Sequence, residues 1–361
     1  MSQGHQSFLA FADDLTGALE VGAKFAAQGI RAVATVGWEP TPAAESPPVR
    51  IVDLETRHVS QAEAARRVAR LVRSAARTEL LYAKTDSTLR GNIGSELGAM
   101  LEAAPGPLLY VPAYPAMGRT VVDGRLLVFG TPLENTSFAR DALNPTTESR
   151  IVDVIRRQTS APVWVVDAQR LCADAPAGIY VSNGATDEDV AAAAEFWRRS
   201  GWRCGAGPAA FAEAIAQRID LPRSNAAPRV FADSVLVVNG SLHEVSLRQI
   251  EQGLPDPHPG WTILDHPGLR DEALGGVVRE LILKSAIAAL IVFGGDTAFA
   301  VLSAFGGPPL EPVGELLPGI PVSRLYDQGS QRDLLLVTKA GGFGPPDVLA
   351  RLRERLTKRQ P

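Results

Sequence analysis

The stretch Lys84-Thr85-Asp86-Ser87-Thr88-Leu89-Arg90-Gly91-Asn92 places two cations, a carboxylate, hydroxyls and a glycine between an apolar run, 79–83, and a helix-like segment, 93–102. An isolated polar turn could be accounted for by its own hydrogen bonds, but no packing argument needs so many polar groups here. At the carboxyl end of a strand, where open α/β sheets bind ligands, this set suits an anion. Asp13 and Asp14 follow another apolar run, 7–12. One of them is expected to cap the next helix, which leaves the other for a ligand, a metal or a proton. Arg57 follows the run 49–54, on the same edge as Asp13 and Lys84. The arginines of the 61–76 helix read instead as a solvated face, and His58 as an exposed turn residue. Together Asp13, Asp14, Arg57, Lys84, Asp86, Ser87 and Arg90 suit a small anionic, hydroxyl-bearing molecule, since a guanidinium can grip a carboxylate bidentately.

Three turns of a different kind fall in the carboxy-terminal part: Asn239-Gly240-Ser241, Gly294-Gly295-Asp296-Thr297 and Lys339-Ala340-Gly341-Gly342-Phe343-Gly344. Glycine lets a backbone approach a phosphate closely, and the following helix offers unpaired N–H groups. One such turn is common for steric reasons; three at the strand ends of one domain point to a nucleotide. The chain has neither a GxxxxGKS/T loop nor a GxGxxG fingerprint. That sets it apart from P-loop kinases and ordinary NAD-dependent dehydrogenases. A phosphate cradle combined with a pocket for a hydroxylated anion implies phosphoryl transfer in an interdomain cleft. Such a reaction rests on positioning, charge neutralisation and, as a rule, Mg²⁺, with a carboxylate near the acceptor hydroxyl to take its proton.

Alternating strands and helices must hold these turns. Continuous apolar runs predict strands at 7–12, 31–36, 49–54, 79–83, 107–111, 162–166, 178–182 and 202–204, and again at 234–238, 261–264, 286–293, 320–325 and 334–337. Helices are expected at 18–28, 61–76, 93–102, 187–200, 208–219, 244–253, 271–284, 298–305 and 347–356. A Pro- and Ala-rich surface loop is expected at 38–48 and a hairpin at 125–133, with Gly130 near its tip. Asn144 and Pro145 look like an N-cap and first helical residue. Periodicity breaks over 220–233. The predicted fold is α/β in two domains, each a mainly parallel sheet flanked by helices. An amino-terminal domain spans 1–222, a linker 223–233 and a carboxy-terminal domain 234–361.

Composition narrows the function classes. With 361 residues, 45% hydrophobic and 21% charged, the chain is an ordinary globular one and long enough for two cores. A net charge of −4 implies no nucleic-acid partner. The two cysteines, Cys172 and Cys204, are too few and too isolated for a disulfide scaffold or a zinc ribbon and fit a reducing cytoplasm. No signal peptide is visible, and no run reaches the ~18 apolar residues of a membrane span. Self-association is left open.

Read as motifs, these residues carry a family resemblance. The segments Phe11-Ala12-Asp13-Asp14-Leu15-Thr16-Gly17-Ala18, Lys84 to Asn92 and Lys339 to Gly344 resemble the signatures of the four-carbon acid sugar kinases. Gly118-Arg119-Thr120-Val121-Val122-Asp123-Gly124 and the segment from Phe138 to Pro145 are similar to that family's middle part. The resemblance implies a sugar-acid-binding amino-terminal domain and a nucleotide-binding carboxy-terminal domain. It implies ATP-dependent phosphorylation of the terminal hydroxyl of threonate, erythronate or a 3-oxo-tetronate. By position, Asp13, Arg57, Lys84, Thr85, Asp86 and Ser87 would hold the acid. Ser241, Gly294, Gly295, Asp296, Thr297, Gly341, Gly342, Phe343 and Gly344 would hold ATP. Asp86 or Asp14 would be the base, with Lys84 and Arg90 gripping the carboxylate or steadying the phosphoryl group. The chain departs from the family pattern at Asp296, where glutamate is usual, at Asn239, where serine is usual, and at Glu134, where histidine is usual. Those changes motivate a competing reading, a catalytically silent sugar-acid or nucleotide sensor.

Overall fold

The computed structural model describes residues 7–37, 47–140, 145–224, 230–253, 259–267, 272–327 and 331–357. In the first part of the chain the strands are β1 (Ser7–Ala12), β2 (Ala32–Val36), β3 (Val49–Asp53), β4 (Glu79–Lys84), β5 (Pro107–Tyr110), β6 (Arg119–Val122), β7 (Arg125–Val128), β8 (Thr131–Pro132), β9 (Val163–Val166), β10 (Gly178–Ser182) and β11 (Cys204–Gly207). The helices there are α1 (Leu15–Ala26), α2 (Gln61–Ser74), α3 (Ile93–Ala103), α4 (Ile151–Arg156), α5 (Asp187–Ser200) and α6 (Ala209–Ala216). Then follow β12 (Val235–Asn239), β13 (Trp261–Asp265), β14 (Ala289–Phe293), β15 (Leu310–Leu317), β16 (Ile320–Asp327) and β17 (Arg332–Lys339). They alternate with α7 (Glu244–Gln252), α8 (Glu272–Lys284), α9 (Gly295–Ala304) and α10 (Val348–Thr357).

The chain forms two compact units: residues 1–21 with 37–222, and 22–36 with 223–361. In the first, the strands run β3-β1-β4-β11-β5-β10-β9, all parallel. A sheet covered on both faces needs apolar residues at every position, and β1 and β4 are buried almost throughout. Tyr82 stacks against Phe8 at 5.8 Å and Phe211 at 6.0 Å, and its hydroxyl donates to the Pro208 carbonyl at 2.8 Å. The chain moves outward from β1 to β3, then crosses to β4 on the other side of β1. Strands therefore diverge at the carboxyl end of β1, the geometry that opens a crevice. The register levels those ends, with Ala12 opposite both Asp53 and Lys84.

In the second unit the order is β13-β12-β14-β17-β16-β15-β2. The strands from β13 to β17 are parallel; β16 runs antiparallel to both its neighbours, and β15 is antiparallel to β2. Residues 22–36 belong here: Leu310 pairs with Ala34, and a buried Lys24–Glu315 ion pair at 3.0 Å ties α1 to β15. The core gathers the inner faces of β12, β14 and β17 under α10.

Several sequence expectations shift. The strand expected at 202–204 lies at Cys204–Gly207, and α9 starts at Gly295, so the glycine turn is the first turn of a helix. The hairpin expected at 125–133 is a meander of β6, β7 and β8, turning at Gly124 and Gly130. Asn144 lies outside the described residues, as do 1–6 and 38–46; Pro145 to Ser149 are not helical, and α4 begins at Ile151. The segment 223–233 is anchored at both ends, Ser224 N–H donating to Gly29 and Ala232 N–H to Leu356, with 225–229 outside the description. Among the described residues no helix is long and apolar enough to cross a membrane.

Helix α8 reaches α9, and so steadies the glycine turn, through close backbone approach. A Cβ on Gly275 would fall 2.6 Å from the Ala300 carbonyl oxygen, whereas one on Gly276 would meet nothing within 4 Å. Gly275→Ala should therefore lower stability by about 1–3 kcal/mol through overpacking. Gly276→Ala should raise it by about 0.5–1 kcal/mol through helix propensity. Thermal melts of the two variants check the pair, and a stabilised Gly275→Ala would refute the packing argument.

Candidate active site

The first unit joins three strand ends through one guanidinium. The loop after β3 clings to β1, since the Thr56 and Arg57 N–H groups both donate to the Asp13 carbonyl. That carries the Arg57 side chain over the acidic pair. Its Nε and Nη2 donate to the two oxygens of Asp13 at 2.7 and 2.9 Å, and its Nη1 donates to Asp14 at 2.7 Å. Asp86, from the loop after β4, lies 3.6 Å from Arg57 Nη2. Neither Asp13 nor Asp14 is spare. Asp14 Oδ1 also accepts from the Gly17 N–H at 2.9 Å, the N-capping geometry for α1.

Asp86 is the most heavily bound carboxylate. Arg90 donates to both its oxygens, Nε at 3.0 Å and Nη2 at 2.6 Å, while the Thr88 N–H and hydroxyl add bonds of 2.9 and 2.6 Å. Leu89 between them sits at φ +60°, a left-handed conformation costly for leucine, which folds Arg90 back onto Asp86. Gly91 at φ +88° lets the loop pass Asp13; a Cβ there would be 3.3 Å from Asp13 Oδ2.

These charges split the carboxylates. Burial would raise all three, but the charges of Arg90 and Arg57 and the bonds from Arg90 and Thr88 hold Asp86 well below the usual range. Arg57, Lys84 and the Gly17 N–H outweigh burial at Asp14 and lower it. At Asp13 burial prevails over Arg57, helped by the neighbouring charge of Asp14, and the group is raised. The three anions raise Arg57 well above its ordinary value despite its burial. Lys84 is different. It is 5% exposed and makes no hydrogen bond or ion pair among the described residues, its ammonium lying against Gly17, where a Cβ would come within 2.7 Å of it. Thr85 is buried, 3.5 Å from the Tyr110 hydroxyl, and Ser87 is half-buried.

In the second unit the three glycine turns converge. A Cβ on Gly294 would be 3.4 Å from Ser241 Cβ, and one on Gly341 2.8 Å from Ser241 Oγ. Asn239, wholly buried, donates to Asp265 at 2.8 Å and accepts from the Ser241 N–H at 3.1 Å, which shapes the first turn. Gly294, at φ +104°, begins α9 with no side-chain cap, so the helix start is left for another acceptor. Thr297 is buried in that first turn. Lys339 ends β17, fully buried, with its ammonium 4.6 Å from the Phe293 ring centre and donating to Ser246 and to the carbonyls of Ala340, Gly341 and Phe343 at 3.0–3.1 Å. Burial lowers it to about 7.

Residues 8–215 match the family described as a sugar-binding N-terminal domain, and 269–349 that described as a nucleotide-binding C-terminal domain. The chain is 30% identical to a D-threonate kinase of Bordetella bronchiseptica over 97% of each sequence. The chain belongs to the four-carbon acid sugar kinase family. A D-threonate kinase of Salmonella typhimurium is 27% identical over 94% of this chain and 96% of that one. Among solved structures, one called a putative tRNA synthase from Salmonella typhimurium shares the fold at TM-score 0.78 and 19% identity, covering 97% of this chain and all of that one. A Bordetella bronchiseptica protein with bound citrate, a domain-swapped dimer, matches at TM-score 0.52 and 27% identity, over 98% and 100% of the two chains.

Within this sugar acid kinase family member, Asp13, Asp14, Arg57, Asp86 and Arg90 form one network with Lys84 beside it, and Ser241, Gly294 and Gly341 meet in the other unit. Sequence reasoning missed Glu96, Arg119 and Tyr110. Glu96 is 1% exposed in a helix that is otherwise apolar on that face, a visible signal, and its Oε1 has no hydrogen-bond partner among the described residues. Burial, then the charge of Asp13, raises Glu96 to about 8. Arg119, 6% exposed, lies 5.7 Å from the rings of Phe129 and Phe138, and burial lowers it.

The folded protein thus holds the Glu96 proton more tightly than the unfolded chain does. The resulting stability is complete below the ordinary value of 4.5 and is lost as pH rises through about 8. Glu96→Gln mimics the protonated acid and removes this dependence. The variant and wild type should melt alike near pH 4.5, and the variant higher near pH 8, by on the order of a few kcal/mol. Parallel melting curves at both pH values would show that Glu96 is ionised when buried.

Proposed function

We propose that this protein transfers the γ-phosphoryl group of ATP to the terminal (4-) hydroxyl of a four-carbon sugar acid, threonate, erythronate or 3-oxo-tetronate. The observation that carries this reading is the Lys84 ammonium, buried without an ion pair among the described residues beside a network whose other cations are already matched to carboxylates. A buried charge is stable when a ligand completes its pairing, so Lys84 is the group available to the substrate's carboxylate or to the phosphoryl group. Thr85 and Ser87, at the same strand end, supply hydroxyls for the substrate's own. The D-threonate kinase names of the relatives, and the citrate held by one related structure, agree with a site for hydroxylated carboxylates.

Asp13 is the better proton acceptor of the three aspartates. A useful base needs a pKa near the working pH; Asp13 is raised, while Asp14 and Asp86 are lowered, and Asp86 also accepts from Thr88 and Arg90 at both its oxygens. Asp86 then serves by aligning Arg90 and Arg57. In the other unit, the start of α9 and the loop Gly341 to Gly344 offer backbone N–H groups to the phosphates of ATP. Among the described residues no group of three or more His, Cys, Asp or Glu side chains could hold a metal ion. Asp296, in the first turn of α9, is the carboxylate that would be available to a Mg²⁺ ion brought with the nucleotide, and such an ion would neutralise the transferred charge.

An ATP-consumption assay over a panel of four-carbon acids tests the reading directly, with mass spectrometry of the product. Turnover is expected with at least one of them, and none with any would overturn the proposal. Asp13→Asn should lower kcat by about 10²–10⁴ with little change in the KM of the acid. Asp86→Asn should instead raise that KM, because it releases Arg90. The reverse pattern would move the base from Asp13 to Asp86.

A further inference from the structure

The carbonyls of the loop Lys339 to Gly344 are held by Lys339 itself and by two side chains of α7. Lys339 donates to the carbonyls of Ala340, Gly341 and Phe343, and the Ser246 hydroxyl donates to that of Gly341 at 2.8 Å. Gln249, 1% exposed on α7, donates through its Nε2 to the carbonyls of Phe343, Gly344 and Pro345 at 3.1, 3.0 and 2.8 Å. In a trans peptide unit the N–H points opposite to the C=O. Drawing in the carbonyls of Ala340, Gly341 and Phe343 therefore turns the N–H groups of Gly341, Gly342 and Gly344 the other way. Glycine keeps the first two of these close to His243: a Cβ on Gly341 would be 2.9 Å from His243 Cβ, which forces a shift, and one on Gly342 would be 3.1 Å from His243 Nε2, a tight contact.

We propose that Lys339, with Ser246 and Gln249 of α7, is the positioning group of the phosphate loop, locking its carbonyls inward so that a row of amides is formed before the nucleotide arrives. This rests on the reading of the second unit as the nucleotide site. The clamp does two things at once. It fixes the donors in the direction an anion needs, and it sets a cation behind them, whose field adds to that of the N–H dipoles. Burial opposes that charge, while the oxygen acceptors and the Phe293 ring face favour it. An ammonium in this place is costly for folding alone, so a ligand-binding role accounts for it better than packing does.

The test is ADP affinity by calorimetry, with the KM of ATP and of the acid measured separately, for wild type and for Lys339→Met, Ser246→Ala and Gln249→Ala. If wild type does not bind ADP, the nucleotide reading fails and the inference with it. If wild type binds, the inference expects the variants to lose about 10–100-fold in ADP affinity and to show a matching rise in the KM of ATP. The KM of the acid should stay within about 2-fold. Variants that melt lower yet bind ADP as wild type does would overturn it, since that pattern marks a purely structural role. Should Lys339→Met fail to fold, Ser246→Ala and Gln249→Ala decide: wild-type ADP affinity in both overturns the proposal.

Discussion

The guanidinium of Arg57 is the interaction on which the amino-terminal unit depends. Three carboxylates, those of Asp13, Asp14 and Asp86, emerge at neighbouring strand ends and are mostly out of water. Left to themselves they would repel one another and take up protons. An arginine answers this where a lysine could not, because a planar fork with several N–H groups can bond Asp13 through two of them, Asp14 through a third, and still lie beside Asp86. The backbone bonds from Thr56 and Arg57 to Asp13 fix the loop that delivers it. Removing one partner of such a buried set leaves the others uncompensated, a loss of about 3–5 kcal/mol where it has been measured. The network is therefore a condition of the fold at this edge.

On the proposed reading the two units solve the same problem, holding an anion, with different materials. In the first unit charged side chains confront one another, and what distinguishes the residues is how completely each is paired. Arg57 and Arg90 are hydrogen-bonded to carboxylates, and Lys84 makes no ion pair among the described residues. In the second unit the donors belong to the backbone, and side chains act on them from behind: Asn239 shapes the Ser241 turn, and Lys339, Ser246 and Gln249 hold the glycine loop. Side-chain charge suits a small substrate whose carboxylate and hydroxyls must be told apart. Oriented amides suit a polyphosphate, whose oxygens are many and alike.

Much of this was legible in the sequence because it is local. Residues 187–200 form α5 as expected, bracketed by a Thr186–Asp189 capping box and by Gly201 in the left-handed conformation. The apolar runs at β1 and β14, and the polar turn after β4, lie where their composition puts them. What escaped depends on distant partners. Strand β15 carries Pro312 and Gly314 and two register shifts, so it shows no regular alternation, and only pairing with β16 and β2 makes it a strand. The placement of residues 22–36 with the carboxy-terminal unit rests on contacts such as Lys24–Glu315, which no local pattern encodes. The pairing of the aspartates was equally hidden, since sequence shows three acids but not which of them Arg90 will bond.

Glu96 shows how such hidden groups act on visible ones. As a neutral acid it adds no negative charge beside Asp13, whose proton affinity is already raised by burial and by Asp14. Were Glu96 ionised, its charge would raise Asp13 further and compete for the field of Arg57, which lowers both groups. Keeping it protonated leaves Arg57 to the three aspartates it touches. The helix that carries Glu96 is bound to the same loops: Asn92 donates to the carbonyls of Thr56 and Val59, and the Gln158 side chain accepts from the Gly94 and Ser95 N–H groups at its start. A carboxyl group that burial keeps protonated thus spares the neighbouring aspartates a further negative charge.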